Sequence, residues 1–296
     1  MGYSGRYHAA SLTAVLIALA VGILVGIGLA DDVVSTASQE LENSLRANLE
    51  EVEAEAAEAE LQLDRVRDYA VATYPVLVGD RLRDREVAVV GVGGLSRDTT
   101  ADITEALAPT GAEIGDVAVI GRPPDLEALE MVVPERFEGL ASDSESLRGF
   151  GETVGRQLVG GGPLIDAVGD QVFSRQEGDF AEVDSVVFVA PPPPGEDEET
   201  GDAAEGAEQG QVLVESILAG AVAGPGQNVA VARSGSEAMM EPFRDEGIST
   251  VDHLDQTAGR VSMVLVLAGA NGNFGTGEDS DGLVPELPVE ATAETP

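Results

Sequence analysis

The sequence predicts an α/β protein in which an N-terminal transmembrane helix and a coiled-coil helix precede a Rossmann- or flavodoxin-like domain with a mainly parallel sheet. Three observations predict this: an uncharged stretch at residues 9–30, apolar residues at heptad spacing up to residue 70, and Val-rich runs alternating with helical stretches from Arg85 onward. The predicted parts are a cytoplasmic N-terminus (1–8), the transmembrane helix (9–30), a stalk (31–74), an extracytoplasmic α/β domain (80–270) and a flexible tail (271–296).

The uncharged stretch runs from Ala9 to Ala30 and is followed at once by two aspartates. A helix of this length spans about 33 Å, enough to cross a hydrocarbon layer of about 30 Å. A cleavable signal peptide is the alternative, but its apolar core runs only about 7–15 residues and ends in an Ala-x-Ala-like site. Because Gly28–Leu29–Ala30–Asp31 offers no such site, we expect an uncleaved, single-pass anchor in the cell membrane.

The charges around the anchor predict its orientation. Arg6 precedes the span and no Lys or Arg follows it until Arg46, so the bulk of the chain is expected outside the cytoplasm. Within the span, Ala18, Gly22 and Gly26 stand four residues apart, and small residues at this spacing let two membrane helices approach closely. Self-association through these residues is one interpretation; the other is that Gly and Ala are simply common in membrane helices.

The stalk contains no Gly or Pro between Asp31 and Tyr74 and is rich in helix-forming residues. Its apolar residues are spaced alternately four and three apart, which is typical of a coiled coil that joins copies of the chain or a partner protein. This set, here called the seam, comprises Leu45, Leu49, Val52, Ala56, Ala59, Leu63, Val66 and Ala70. The alternative is a single amphipathic helix lying on the globular domain. We expect Pro75 to end the helix.

The pattern then changes to that of an α/β domain with a sheet covered on both faces. The predicted strands are Glu86–Val92, Val117–Ile120, Ser185–Ala190, Asn228–Ala232 and Ser249–Val251. The predicted helices are Thr100–Ala108, Asp125–Val132, Ser144–Val159, Pro163–Phe173, Val212–Val222, Glu237–Glu246 and a final one at Thr257–Ala270. Residues 191–211, with four prolines and then a run of acidic residues, are expected to form a disordered loop.

The composition excludes some classes of function. The net charge of −38 disfavours nucleic-acid binding, which depends on Lys and Arg contacts to phosphate. An acidic, hydrated surface is also typical of a salt-loving host, and we interpret the charge as halophilic adaptation. Since the chain has no cysteine, thiol catalysis and thiolate metal sites are excluded.

Two stretches resemble a known family. Arg6–Val15 running into Ala18–Gly22, and Val251–Asp255 followed by Ala258–Val261, resemble the actinobacterial copper transport protein MctB family. The resemblance implies a role in copper homeostasis, copper as the metal concerned and an outer-membrane location. Members of that family end in a Gly-His-Tyr-Gly element, whereas this chain has Gly272–Asn273–Phe274–Gly275, which weakens a ligand role for this segment.

The copper ligands that the sequence offers are few. Copper favours thiolate, thioether and imidazole groups, and His253, between Asp252 and Asp255 near a predicted strand end, is the candidate metal site. A lone imidazole is more often structural, and the adjacent Met239 and Met240 are better explained by core packing. We therefore expect no evident cofactor, with copper implied by the resemblance alone.

The sequence carries no motif that favours an enzyme. Gly91–Val92–Gly93–Gly94 lacks the third glycine of a dinucleotide loop, where Ser96 stands, and the chain has no Gly-x-Ser-x-Gly elbow around a nucleophile. We predict a non-enzymatic, membrane-anchored envelope protein with an auxiliary role in copper efflux or homeostasis. The alternative is a scaffolding protein of envelope assembly or cell division that acts through its coiled coil and α/β domain.

Overall fold

The computed structural model describes residues 5–121, 126–134, 137, 139–191, 204–277 and 279–286. The side chains of residues 5, 6, 27–40, 127, 128 and 204–207 lie outside the description. The chain forms two units, one ending at Val66 and the other beginning at Arg67. The first unit consists of the greater part of helix α1 (Gly5–Val78).

The second unit is built on a seven-stranded sheet with the order β3-β2-β1-β4-β5-β6-β7. The strands are β1 (Glu86–Val92), β2 (Glu113–Ile120), β3 (Phe173–Glu177), β4 (Ser185–Val189), β5 (Gln227–Val231), β6 (Ser249–Val251) and β7 (Asn273–Phe274). Every neighbouring pair is parallel except β2 and β3. The predicted class, an α/β protein with a mainly parallel sheet after an N-terminal apolar helix and a long helix, is confirmed.

Helices cover both faces of this sheet. They are α2 (Arg97–Leu107), α3 (Leu126–Glu130), α4 (Ser144–Gln157), α5 (Pro163–Val172), α6 (Ala204–Val222), α7 (Glu241–Asp245) and α8 (Thr257–Leu267). Alternate residues of each strand point to opposite faces, so Ala88 and Val90 of β1 join one core with α4, α5 and α6. Val87 and Val89 join the other core, with α2, α8 and the last turn of α1.

Strand β3 was missed by the sequence analysis. Phe173 was assigned to the end of a helix, but it begins β3, which pairs antiparallel with β2. Of its five residues only Phe173 is apolar and buried, so neither a Val-rich run nor an apolar alternation marks it. Its strand conformation follows from pairing with β2.

The expectation that Pro75 ends the stalk helix is wrong, because α1 continues to Val78 with Pro75 inside it. Proline removes one backbone hydrogen bond, but the last turn is held by burial: Val78 is fully buried and Tyr74 nearly so. The Tyr74 hydroxyl also donates to the Ala106 carbonyl at 2.6 Å. The hydrogen bond of Tyr74 and the packing of this turn outweigh the tendency of Pro75 to end the helix.

Pro242 interrupts the helix predicted at Glu237–Glu246. The structure has a 3-10 turn at Glu237–Met240 followed by the short α7, because Pro242 cannot donate a backbone hydrogen bond and is best accommodated in the first turn of a new helix. Most other predicted boundaries differ by a few residues. α2 begins at Arg97 rather than Thr100, since the Ser96 hydroxyl accepts the Thr99 N–H at 3.1 Å and caps the helix one turn earlier.

Two segments expected to be irregular contain regular structure. Within the predicted disordered loop at 191–211, residues from Ala204 onward already belong to α6, whereas residues 192–203 lie outside the described part. The predicted flexible tail at 271–296 contains β7, which pairs with β6 and buries Phe274. Residues 287–296 of that tail lie outside the described part as well.

Candidate functional site

The carboxyl ends of the parallel strands form the edge of the sheet at which ligands bind in doubly wound folds. The strand order reverses between β1 and β4, since the strands that follow them in the chain lie on opposite sides of this pair. A crevice of about 440 Å³ opens at this point. Its lining residues are Gly94, Leu95, Ser96, Thr99, Val189, Ala190, Arg233, Ser234 and Ser236.

Arg233 supplies the positive charge in this crevice, but acidic side chains of α2 already pair with it. Its Nε lies 2.9 Å from Asp102 Oδ2, and its Nη1 lies 3.5 Å from Asp98 Oδ2. Asp102 also accepts a hydrogen bond from Arg260 Nη2 at 2.9 Å, and Arg260 Nη1 lies 2.8 Å from Glu105. Three carboxylates therefore face two guanidinium groups, so the network has no excess positive charge to attract an anion.

The glycines that follow β1 make a tight turn. Gly93 has φ +74°, a left-handed conformation that favours glycine, and a Cβ at Gly91 would lie 2.5 Å from the Gly94 carbonyl oxygen. The interpretation of these glycines as a strand-to-helix turn agrees with this geometry. The sequence analysis missed Arg233 and Ser234, although applying the strand-end rule to β5 would have found them.

His253 follows β6 at the same edge of the sheet and adopts a left-handed backbone with φ +54°. Its Nδ1 lies 2.7 Å from Asp252 Oδ1, and its Nε2 lies 3.5 Å from Glu237 Oε1. The imidazole is largely enclosed, with 18% of its side chain exposed. Two carboxylates thus flank one imidazole, and Glu237 is a neighbour that no local pattern in the sequence reveals.

Asp252 also holds the chain segment after β7. Its carboxylate accepts the Thr276 N–H at 3.1 Å and the Gly277 N–H at 3.2 Å. A carboxylate that already bonds two backbone amides and an imidazole has little capacity left for a metal ion. We interpret Asp252 as a structural residue that fixes this segment against β6.

Asp255, the third predicted ligand, points to a different partner. It accepts hydrogen bonds from the backbone N–H and the hydroxyl of Ser234, at 2.8 Å and 2.9 Å. Burial raises the pKa of Asp255, but these hydrogen bonds outweigh that effect and leave the pKa below its ordinary value. The structure therefore brings His253 and Asp252 together, whereas Asp255 fixes the loop that carries Arg233.

A second cavity, of about 280 Å³, lies beside His253. Glu237, Asp252, Arg244 and Asp279 contribute its charged groups, and Met240, Asn273 and Phe274 also line it. Arg244 Nη1 lies 3.2 Å from Asp279 Oδ2, and the N–H of Gly235 lowers the pKa of Glu237 from its ordinary value. The cavity holds carboxylates that are each paired within the protein.

These donor groups fit a copper site poorly. Copper favours soft thiolate and thioether ligands and imidazole, whereas His253 is here surrounded by carboxylates. Met240 is 2% exposed and packs in the core, as expected from the sequence. In the part of the chain that the structure describes, no group of three or more His, Asp or Glu side chains is placed to hold a metal ion.

The first unit contains the residues predicted for the membrane and all of the seam except Ala70. Tyr7–Gly26 is long and apolar enough to cross a membrane, and none of it is buried. Ala18 is exposed, and a Cβ at Gly22 or Gly26 would meet no atom within 4 Å. Seven seam residues, Leu45 to Val66, are exposed, whereas Ala70 is half-buried in the second unit.

Comparison with known protein families identifies a match to this chain. The family model described as "Copper transport outer membrane protein, MctB" matches residues 3–121 and 138–285, which is most of the chain. No curated protein matches the sequence.

Proposed function

Because the chain belongs to the MctB family of copper transport outer membrane proteins, we propose that it is an accessory component of copper handling in the cell envelope, anchored by one N-terminal helix. The family match, which covers the apolar helix and most of the α/β unit, is the observation that carries this proposal. It supports a copper-related envelope protein. We further propose the single-pass topology, supported by the charges around the apolar helix, and the accessory role, supported by the packing of the sheet and the groups around His253.

The proposed topology places the N-terminus in the cytoplasm and the α/β unit outside it. The charge asymmetry supports this, since Arg6 precedes the apolar helix and the next basic residue is Arg46. The acidic body is also poorly suited to an anionic membrane surface, because such binding needs clusters of Lys and Arg.

The accessory role follows from two features. One apolar helix in a single chain does not form a channel, and the parallel sheet is covered by helices on both faces rather than exposed to lipid. The donor groups around His253 are carboxylates engaged within the protein. We therefore propose a non-catalytic protein that supports copper movement by binding another envelope component, not by holding the ion at His253.

A copper-sensitivity experiment tests the role. We expect a deletion strain to grow more poorly than its parent at raised copper and equally well at raised zinc, with full recovery when the gene is restored. The His253→Ala variant should restore copper tolerance to the deletion strain as well as the His8→Ala variant does. His8→Ala is the matched change at the other histidine of the chain.

The results separate the alternatives. Unchanged copper tolerance in the deletion strain contradicts a copper role and favours scaffolding. Loss of tolerance with His253→Ala alone, in a folded protein, contradicts the accessory role and identifies a metal ligand.

Labelling of introduced cysteines tests the topology, because the chain has none of its own. A membrane-impermeant maleimide should label Ser142→Cys, an exposed position of the α/β unit, in intact cells stripped of their outer layers. Labelling of Ser4→Cys should require lysis. The reverse labelling pattern contradicts this orientation, and release of the protein from membranes by salt alone contradicts the anchor.

A further inference from the structure

Where the structure describes the side chains of the first unit, its helix has no packing partner within that unit. At residues 7–26 and 41–66 every side chain is exposed. The larger seam residues Leu45, Leu49, Val52, Leu63 and Val66 are 49–64% exposed. Because most helical stability in proteins comes from packing an apolar face, a helix of this length with an exposed apolar stripe requires a partner.

The spacing of the stripe specifies the geometry of that partner. The alternation of four and three residues places Leu49, Ala56 and Leu63 at heptad position a, and Leu45, Val52, Ala59 and Val66 at position d. The outward positions b and c contain Glu50, Glu51 and Glu58. The apolar period of 3.5 residues is maintained over three heptads, which is typical of pairing with another helix of the same period in a left-handed coiled coil.

We propose that the seam from Leu45 to Val66 binds the same seam in other copies of this chain, as a parallel coiled coil in register. The parallel direction rests on the proposed anchor, because copies inserted in one bilayer with one orientation project their stalks in the same direction. In register, each layer contains one residue type: Leu49 meets Leu49 and Ala56 meets Ala56. Large residues therefore pack against large residues and alanines against alanines, and the alanine layers let the two helices approach closely.

The charges beside the seam impose a condition on this association. In a parallel coiled coil, a residue at position g faces the residue at the following position e of the neighbouring helix, five residues later. Glu55 is at g and Glu60 is at e, so these two carboxylates face each other between copies. Like charges at such positions weaken pairing, and salt screens them, so association is expected to strengthen as salt rises.

Disulfide formation between copies tests the register, because the chain has no cysteine and supplies four nearby alanines. Ala56→Cys and Ala59→Cys lie in the seam, whereas Ala54→Cys and Ala57→Cys lie at the outward positions f and b. Full-length protein in its own membranes is oxidised with diamide. Disulfide-linked dimers are separated from monomers by mass and their fraction is measured. We expect the seam variants to give at least about tenfold more dimer than the outward variants, since only facing Cβ atoms come within disulfide reach.

Equal yields at all four positions contradict the seam. Absence of dimers at the seam, or linkage of the seam cysteines to a different polypeptide, contradicts association between copies. These readings are independent of copper tolerance, so failure of this proposal is distinguishable from failure of the proposed function.

A charge exchange on the Ala56→Cys background provides a second test. Glu60→Lys converts the Glu55–Glu60 contact between copies into an opposite-charge contact, so dimer yield at low salt should rise. Glu55→Lys together with Glu60→Lys restores like charges, so the yield should fall back to that of the parent. A lower yield with Glu60→Lys alone indicates a basic partner helix and overturns the proposal.

Discussion

Asp102 is the point at which charged residues from three parts of the chain converge. It lies on α2, and its Oδ1 accepts a hydrogen bond from Arg260 Nη2 of α8 at 2.9 Å. Its Oδ2 lies 2.9 Å from Arg233 Nε in the loop after β5. The carboxylate is mostly enclosed, with 13% of its side chain exposed. A single aspartate thus connects the edges of the crevice and balances two arginines in a strongly acidic protein.

At the carboxyl edge of the sheet, Asp255→Asn should reduce the free energy of unfolding above about pH 4. The folded-state pKa of Asp255 lies below its ordinary value, so its ionised form contributes stability that is present above the unfolded pKa of about 3.9. That contribution is lost as pH falls through the folded pKa. We expect a loss of about 1 kcal/mol at pH 7, discounted for partial exposure, and a loss that diminishes as pH falls below about 3.9.

Urea unfolding at several pH values checks this prediction. Asp245→Asn is the matched control, because Asp245 is exposed on α7 and its substitution should change the free energy of unfolding by less than about 0.5 kcal/mol. A loss for Asp255→Asn that is independent of pH would show that its carboxylate charge is unimportant.

At the scale of elements, glycines set the distance between α4 and α6. A Cβ at Gly155 of α4 would collide with the Ile217 carbonyl oxygen of α6, and one at Gly220 of α6 would collide with the Glu152 carbonyl oxygen of α4. These are backbone atoms, which cannot move away without shifting a helix. The two helices therefore pack by backbone contact along this line.

Gly155→Ala should destabilise the protein by about 2 kcal/mol or more, because the added methyl group forces the helices apart. Gly149→Ala, in the same helix, should instead stabilise it by about 0.5–1 kcal/mol, since its added Cβ meets no atom within 4 Å and alanine is the better helix former. Thermal unfolding of the two variants measures the difference. Equal effects at both positions would mean that the helices are not in close contact.

The sequence predicted elements well where local pattern decides the structure. β1 and β6 have their predicted bounds, because runs of β-branched residues after turn residues are recognisable without a partner. β3 was missed because pairing with β2 determines it, and α1 passes Pro75 because tertiary packing holds Tyr74 and Val78. Around His253, Asp252 is adjacent in sequence, but Glu237 and Thr276 come from segments 16 residues before and 23 residues after it, and no local signal pairs them.

For the whole molecule, the net charge of −38 is the dominant electrostatic property. Carboxylates gather at the amino-terminal edge of the sheet, where a cavity is lined by Glu86, Asp116, Asp179 and Glu182. Desolvation raises the pKa of Glu86, and the neighbouring carboxylates, Glu182 first, raise it further. Repulsion of this kind favours the unfolded chain when little salt is present.

Raising sodium chloride from about 0.1 M to about 1 M should therefore raise the melting temperature, because the screening length falls from about 10 Å to about 3 Å. Glu86→Gln removes one carboxylate from the crowded edge, so it should be more stable than the parent at low salt and gain less from added salt. Calorimetry in both salts measures the two effects. A melting temperature that falls with salt contradicts halophilic adaptation.

The two border strands of the sheet determine how molecules of this protein behave at high local concentration. One border strand, β3, presents the charged Arg175 and Glu177, and the other, β7, is only two residues long. Exposed strands that are long and apolar recruit further strands and lead to aggregation. Neighbouring molecules are thus discouraged from joining their sheets edge to edge, which leaves them free to associate through other surfaces without aggregating.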